Sequence, residues 1–138
     1  MARWTCPSCD REFARSHQSH VCVPAGTVDD TFAPHPRAWR EIFDTIMSHV
    51  ESLGPVHADA VKVGVFLKSD RKLAEVRPRA RAVDLLLALP GPVDHDRVSR
   101  VLRQSSDITV NVIPLRSASE VDDQLRGWLT TAYETATD

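Results

Sequence analysis

Cys6-Pro7-Ser8-Cys9 is followed, within the next thirteen residues, by His17, His20 and Cys22. No other side chains in the sequence point so directly to a chemistry. A Cys-x-x-Cys turn aims two thiolates at one ion about 2.3 Å away, and a second pair from a following turn or short helix completes the tetrahedron. Five donors compete for four places. Cys6 and Cys9 with His20 and Cys22 give a Cys-Cys-His-Cys zinc site, whereas His17 with His20 gives a Cys-Cys-His-His rival. Only two residues separate His17 from His20, short of the usual spacing of about three to five. A soft thiolate also outcompetes a second imidazole. Cys22 is therefore preferred, and His17 stands as the alternative. Four protein ligands leave no open position for a substrate water, so the expected zinc is structural, and its binding energy folds a segment too short to bury its own core. A redox reading is less apt: only five residues precede Cys6, where a thioredoxin-like site needs a strand and a βαβ frame. All three cysteines fall in this window, and an odd number in a chain read as cytosolic argues against a disulfide framework.

The next candidates are arginines. Residues 61–103 hold ten Lys/Arg against five Asp/Glu, whereas residues 104–138 hold two against six. Arg97, Arg100 and Arg103, spaced by three, would line one side of a short helix spanning residues 94–103, with Val98, Val101 and Leu102 on the other. With Arg3, Arg11 and Arg15 near the N-terminus they are candidate contacts to a phosphate backbone. The plainer reading is a solvated face paired with acids. Few aromatic residues are available to stack on single-stranded bases. His57-Ala58-Asp59 and Asp94-His95-Asp96 carry acid–base groups, but no nucleophile lies near them in sequence, and each reads as a turn or cap cluster. There is no glycine-rich phosphate loop, nucleophile elbow or paired-histidine helix. Nothing favours an enzyme; one would need a pocket that brings His57, His95 or Glu75 together.

The elements that must carry these residues follow from periodicity. Pro24-Ala25-Gly26 closes the cysteine-rich module of residues 1–24, and residues 25–36 read as a linker. From residue 37 to 138 the pattern is that of one α+β domain. Trp39, Ile42, Phe43, Ile46, Val50 and Leu53 have helical spacing, stopped by Gly54-Pro55. Val61, Val63, Val65 and Leu67 alternate as a strand, followed by strands over residues 73–77, 82–89 and 108–113, the last ended by Pro114. Ser117 to Glu120 is a capping box opening a final helix striped by Val121, Leu125, Trp128, Leu129 and Ala132. Short connections favour antiparallel pairing, so the expected architecture is a small antiparallel sheet under N- and C-terminal helices, preceded by a zinc knuckle.

The whole chain of 138 residues has a formal net charge of −2 and a hydrophobic content of 42%. These values fit a globular protein and commit it to neither nucleic acid nor anionic lipid. Its longest apolar run, residues 85–89, is far below the roughly 20 residues of a membrane span, and no signal-peptide stretch opens it, so a soluble cytoplasmic protein is expected.

Residues 39–133 resemble the bacterial domain-of-unknown-function family numbered 5655. The resemblance is carried by Leu53-Gly54-Pro55-Val56, Lys62-Val63-Gly64-Val65-Phe66-Leu67-Lys68, Leu73-Ala74-Glu75-Val76-Arg77-Pro78 and residues 121–129. Some members carry a similar finger with Gln18-Ser19-His20-Val21-Cys22 in the ligand-bearing position, which implies His20 and Cys22 over His17. The resemblance implies a fold and no activity. Two function classes therefore stand: a zinc-bearing module that grips nucleic acid or a nucleoprotein, and a protein-interaction or small-ligand adaptor with a purely structural zinc.

Overall fold

The computed structural model describes residues 4–5, 12–15 and 27–137. Two short strands, β1 (Trp4–Thr5) and β2 (Glu12–Phe13), pair antiparallel near the N-terminus. The body comprises α1 (Val28–Phe32), α2 (Arg37–Leu53), β3 (His57–Val61), β4 (Gly64–Lys68), β5 (Lys72–Pro78), β6 (Val83–Leu89), β7 (Arg100–Arg103), β8 (Thr109–Leu115) and α3 (Asp123–Ala136). The six body strands form one antiparallel sheet in the order β3-β4-β5-β6-β8-β7. The α+β expectation holds, with six strands where the sequence suggested four.

One sheet face is apolar because the strands are in register. Ala60, Val65, Val76, Leu85 and Ile113 stand opposite one another across five strands. Val65, Val76, Leu85 and Ile113 form one buried cluster with Ile42, Phe43, Ile46 and Val50 of α2 and Leu125, Leu129 and Tyr133 of α3. Each such side chain contributes roughly 1.5–3 kcal/mol relative to exposure. The helix entries are fixed by polar contacts. Trp39 Nε1 donates to the Arg79 carbonyl at 2.7 Å, and Asp122 caps α3 by accepting from the Leu125 N–H at 3.0 Å. Tyr133 Oη donates to the Pro55 carbonyl at 3.0 Å. A Cβ on Gly54, the residue that ends α2, would fall 2.3 Å from that hydroxyl.

Five sequence expectations are revised. The alternation from Val61 to Leu67 is the hairpin β3–β4, with Val63 exposed at its tip between Val61 and Gly64. A period of two runs unbroken through a two-residue turn, so the pattern alone could not show the reversal. The helix expected over residues 94–103 is absent: β7 takes residues 100–103, and Val101 and Leu102 are exposed rather than forming a buried stripe. Pro114 lies inside β8, opposite Asp84. It is tolerated there because β7 pairs only with residues 109–112, so β8 is a sheet edge at Pro114. The Ser117–Glu120 capping box closes a single 3-10 turn, and α3 begins three residues later. Within the stretch read as a linker, α1 is a capped helix whose Phe32 belongs to the core cluster.

Two glycines make the packing testable. A Cβ on Gly64 would lie 2.3 Å from the Val76 carbonyl oxygen, and one on Gly127, inside α3, would meet nothing. We predict that Gly64→Ala destabilises the fold by about 1–3 kcal/mol as β4 is forced from β5. Gly127→Ala should stabilise it by about 0.5–1 kcal/mol through helix propensity. Urea-denaturation midpoints should move in opposite directions for the two variants.

Candidate functional site

The second sheet face is chemically different from the first. One residue out of step with the apolar row, Asp59, Phe66, Glu75, Leu86, Val112 and Arg100 stand opposite one another across all six strands. Both carboxylates in this row are nearly inaccessible, Asp59 at 3% and Glu75 at 2% exposure. A buried charge is tolerated only when paired and hydrogen-bonded. Lys68 Nζ reaches Asp59 Oδ2 at 3.1 Å and the Glu12 carbonyl at 3.2 Å. Glu75 accepts from Lys72 Nζ at 2.9 Å through one oxygen and from Arg77 Nε through the other. Burial alone would push the Glu75 carboxyl up, but the hydrogen bonds from Arg77 and Lys72 outweigh it and hold the group below the usual carboxylate range. The Lys72 ammonium also sits 3.8 Å from the centre of the Phe66 ring.

Beside Glu75 this face opens into a cavity of about 270 Å³, with Leu86, Ala88, Leu102 and Val110 forming apolar walls and Lys72 and Arg77 bringing charge. Such a site suits an anion that also presents apolar surface.

The arginines of the sequence analysis do not act as one group. Arg97 is largely buried against the start of α3, donating to Asp122 Oδ1 at 2.9 Å, Gln124 Oε1 at 3.2 Å and the Glu120 carbonyl at 2.6 Å. Its role is structural. The Leu125 N–H and then Arg97 hold the Asp122 carboxyl below its ordinary range. Arg100 and Arg103 are exposed on β7, on opposite faces of the strand because their positions differ in parity. The single helical face expected for the three is thus replaced by one clamp and two edge cations. Arg15 is exposed, and Arg3 and Arg11 lie outside the described residues.

Cys6, Cys9, His17, His20 and Cys22 also lie outside the described residues. Among the described residues, no group of three or more His, Cys, Asp or Glu could hold a metal ion. The histidines considered for acid–base work have separate partners. His57 Nδ1 is 2.7 Å from Glu12 Oε2. His95 Nδ1 accepts from the Arg97 N–H at 3.0 Å, and its ring meets Trp128 edge to face. Glu75 is engaged by Lys72 and Arg77, so the three groups are not assembled into one acid–base centre. Sequence reasoning missed the Lys72–Glu75–Arg77 cluster. Its signal was present: an acid flanked by cations at i−3 and i+2 within an apolar strand.

The model of the family described as Domain of unknown function (DUF5655) matches residues 28–136. Searches of the curated proteins and of the solved structures returned no match. Among the described residues, no helix is long and apolar enough to cross a membrane.

The Glu75 cluster generates a pH-dependent prediction. A carboxyl held below its unfolded value contributes stability above that value and loses it as pH falls through the folded one. Glu75→Gln should therefore destabilise the protein by about 1–3 kcal/mol at neutral pH, and the gap to wild type should narrow on acidification. Urea titrations of both proteins at neutral and acid pH measure this. A gap that widens on acidification would contradict the assignment.

Proposed function

The chain belongs to the DUF5655 family, a domain of unknown function, and from that premise we propose that it is a zinc-bearing, non-enzymatic binding module that grips the phosphate backbone of a nucleic acid or a nucleoprotein. The observation that carries this reading is the basic edge that β7 gives the sheet. Arg100 and Arg103 are exposed and, among the described residues, pair with no carboxylate. Lys72 and Arg77 stand at the cavity beside them. The Glu75 charge is offset by two cations, so the local field stays positive. Phosphate contacts of this kind need no base readout and give binding that falls steeply with salt.

The zinc would be held by Cys6, Cys9, His20 and Cys22, a donor set whose chemistry suits a closed structural site. The pairing of Thr5 with Glu12 supports it, because it draws together the two ends of the segment that contains Cys6 and Cys9. Protein purified without added metal should contain close to one zinc per chain by elemental analysis. Cys22→Ser should weaken zinc retention far more than His17→Asn. Equal losses would favour the Cys-Cys-His-His alternative.

The nucleic-acid reading has its own test. Replacing Arg100 and Arg103 together by Ala should reduce the slope of log affinity against log salt by roughly two for duplex DNA. Arg97→Ala should loosen the start of α3 and lower thermal stability while leaving that slope unchanged. Wild-type protein that binds neither DNA nor RNA at low ionic strength would overturn the reading. The exposed β7 edge favours the second reading, a protein-interaction adaptor.

A further inference from the structure

We propose that β7 is a docking edge that takes an acidic, extended segment of a partner protein as a seventh strand of the sheet. The proposal rests on the adaptor reading and is independent of nucleic-acid binding. All four β7 residues are exposed, and Val101 and Leu102 are 42% and 43% accessible. Natural sheets blunt an open edge with charge, bulges or covering elements. Here the edge has charge, yet it also presents two large apolar side chains.

The direction of the free hydrogen-bonding groups follows from the register. Gln104 donates to the Ile108 carbonyl at 3.1 Å, and Arg103 stands opposite Thr109. Hydrogen-bonded pairs alternate along an antiparallel ladder, so Leu102–Val110 and Arg100–Val112 are the next bonded pairs. The N–H and C=O groups of Val101 and Arg103 therefore point away from β8. An added strand can close two bonded pairs there, one at each residue. Its side chains would alternate between the two faces. On one face they would meet Val101 and Arg103. On the other they would meet Arg100 and Leu102, which continues the apolar row of Val110 and Ala88 into the cavity.

Charge selects the occupant. An incoming strand meets a guanidinium on each of its faces, Arg103 on one and Arg100 on the other, and β7 itself contains no acid. A segment with Glu or Asp on both faces and apolar residues between them complements this pattern. A second copy of the chain would instead bring the Arg100 and Arg103 of both copies to one seam, with no carboxylate inside either strand.

The test uses the full chain and two labelled peptides of about six residues, one centred on Glu-Val-Val-Glu and the other on Lys-Val-Val-Lys, so that the two charged residues fall on opposite faces of the strand. The Glu peptide should bind, and amide resonances of β7 and β8 should shift first. Val101→Pro removes an outward N–H without breaking a ladder bond, so it should weaken Glu-peptide binding about tenfold or more. Arg100→Glu with Arg103→Glu should reverse the preference towards the Lys peptide, which keeps the proposal testable if the proline variant does not fold. Equal binding of both peptides by wild type, shifts confined to residues away from β7 and β8, or a β7-dependent dimer in sedimentation would each overturn it. Val101→Pro keeps both guanidiniums, so its salt slope for DNA reports separately on the nucleic-acid reading.

Discussion

Everything in the body depends on the registration of one sheet whose two faces are a single residue apart. The row from Ala60 through Val65, Val76 and Leu85 to Ile113 faces the core, and the row from Asp59 through Phe66, Glu75 and Leu86 to Val112 and Arg100 faces away. A slip of one residue in β5 would carry Glu75 into the apolar cluster and Val76 out of it. The register is thus enforced from both sides. Burial rewards the apolar row, and an ionised carboxylate in the core would be far more costly than any mispaired backbone bond.

The helices depend on that register in turn. α2 and α3 contribute to the same buried cluster as the sheet, and each is tied to a loop at the sheet's margin by a polar contact. Trp39 holds the Arg79 carbonyl between β5 and β6, and Tyr133 holds the Pro55 carbonyl between α2 and β3. Asn111, fully buried in β8, pins the loop before β7: its Oδ1 accepts from the Val93 N–H at 2.8 Å and its Nδ2 donates to the Gly91 carbonyl at 3.1 Å. Arg97 continues the same pattern by joining that loop to the cap of α3. One of the three arginines read as phosphate contacts is therefore part of the scaffold.

Sequence patterns revealed what local periodicity encodes. The stripe of α2 and the strands β5, β6 and β8 were legible because each is a single element with a continuous apolar face. The β3–β4 hairpin was not, since its alternation runs through the turn and only the exposure of Val63 separates the strands. β7 was read as helix because three apolar residues at 98, 101 and 102 fit helical spacing in so short a stretch. Its actual state is decided by pairing with β8, a non-local contact. The second-face cluster was partly legible: Lys72, Glu75 and Arg77 are close in sequence, but their common face depends on the irregular register between β4 and β5 near Lys68. The zinc ligands are a reading of spacing and donor chemistry alone.

The two ends of the sheet are finished differently. At β3, α1 packs against the first two body strands, and His57 and Lys68 both contact Glu12 of the N-terminal pair. Asp59 and Ala60 are buried there. At β7 all four residues are exposed, and the strand has four residues against the seven of β8, its one neighbour in the sheet among the described residues. A fold that needed β7 only to finish its core would gain less from it than from the other body strands, because Val101 and Leu102 remain 42% and 43% exposed and stand outside the core cluster. What β7 adds is an ordered edge: backbone donors and acceptors at fixed spacing, two cations on opposite faces, and an apolar path into the neighbouring cavity. Recognition is better served by groups held rigidly by a scaffold than by a mobile loop. The docking edge proposed for β7 thus falls on the body strand that contributes least to the core.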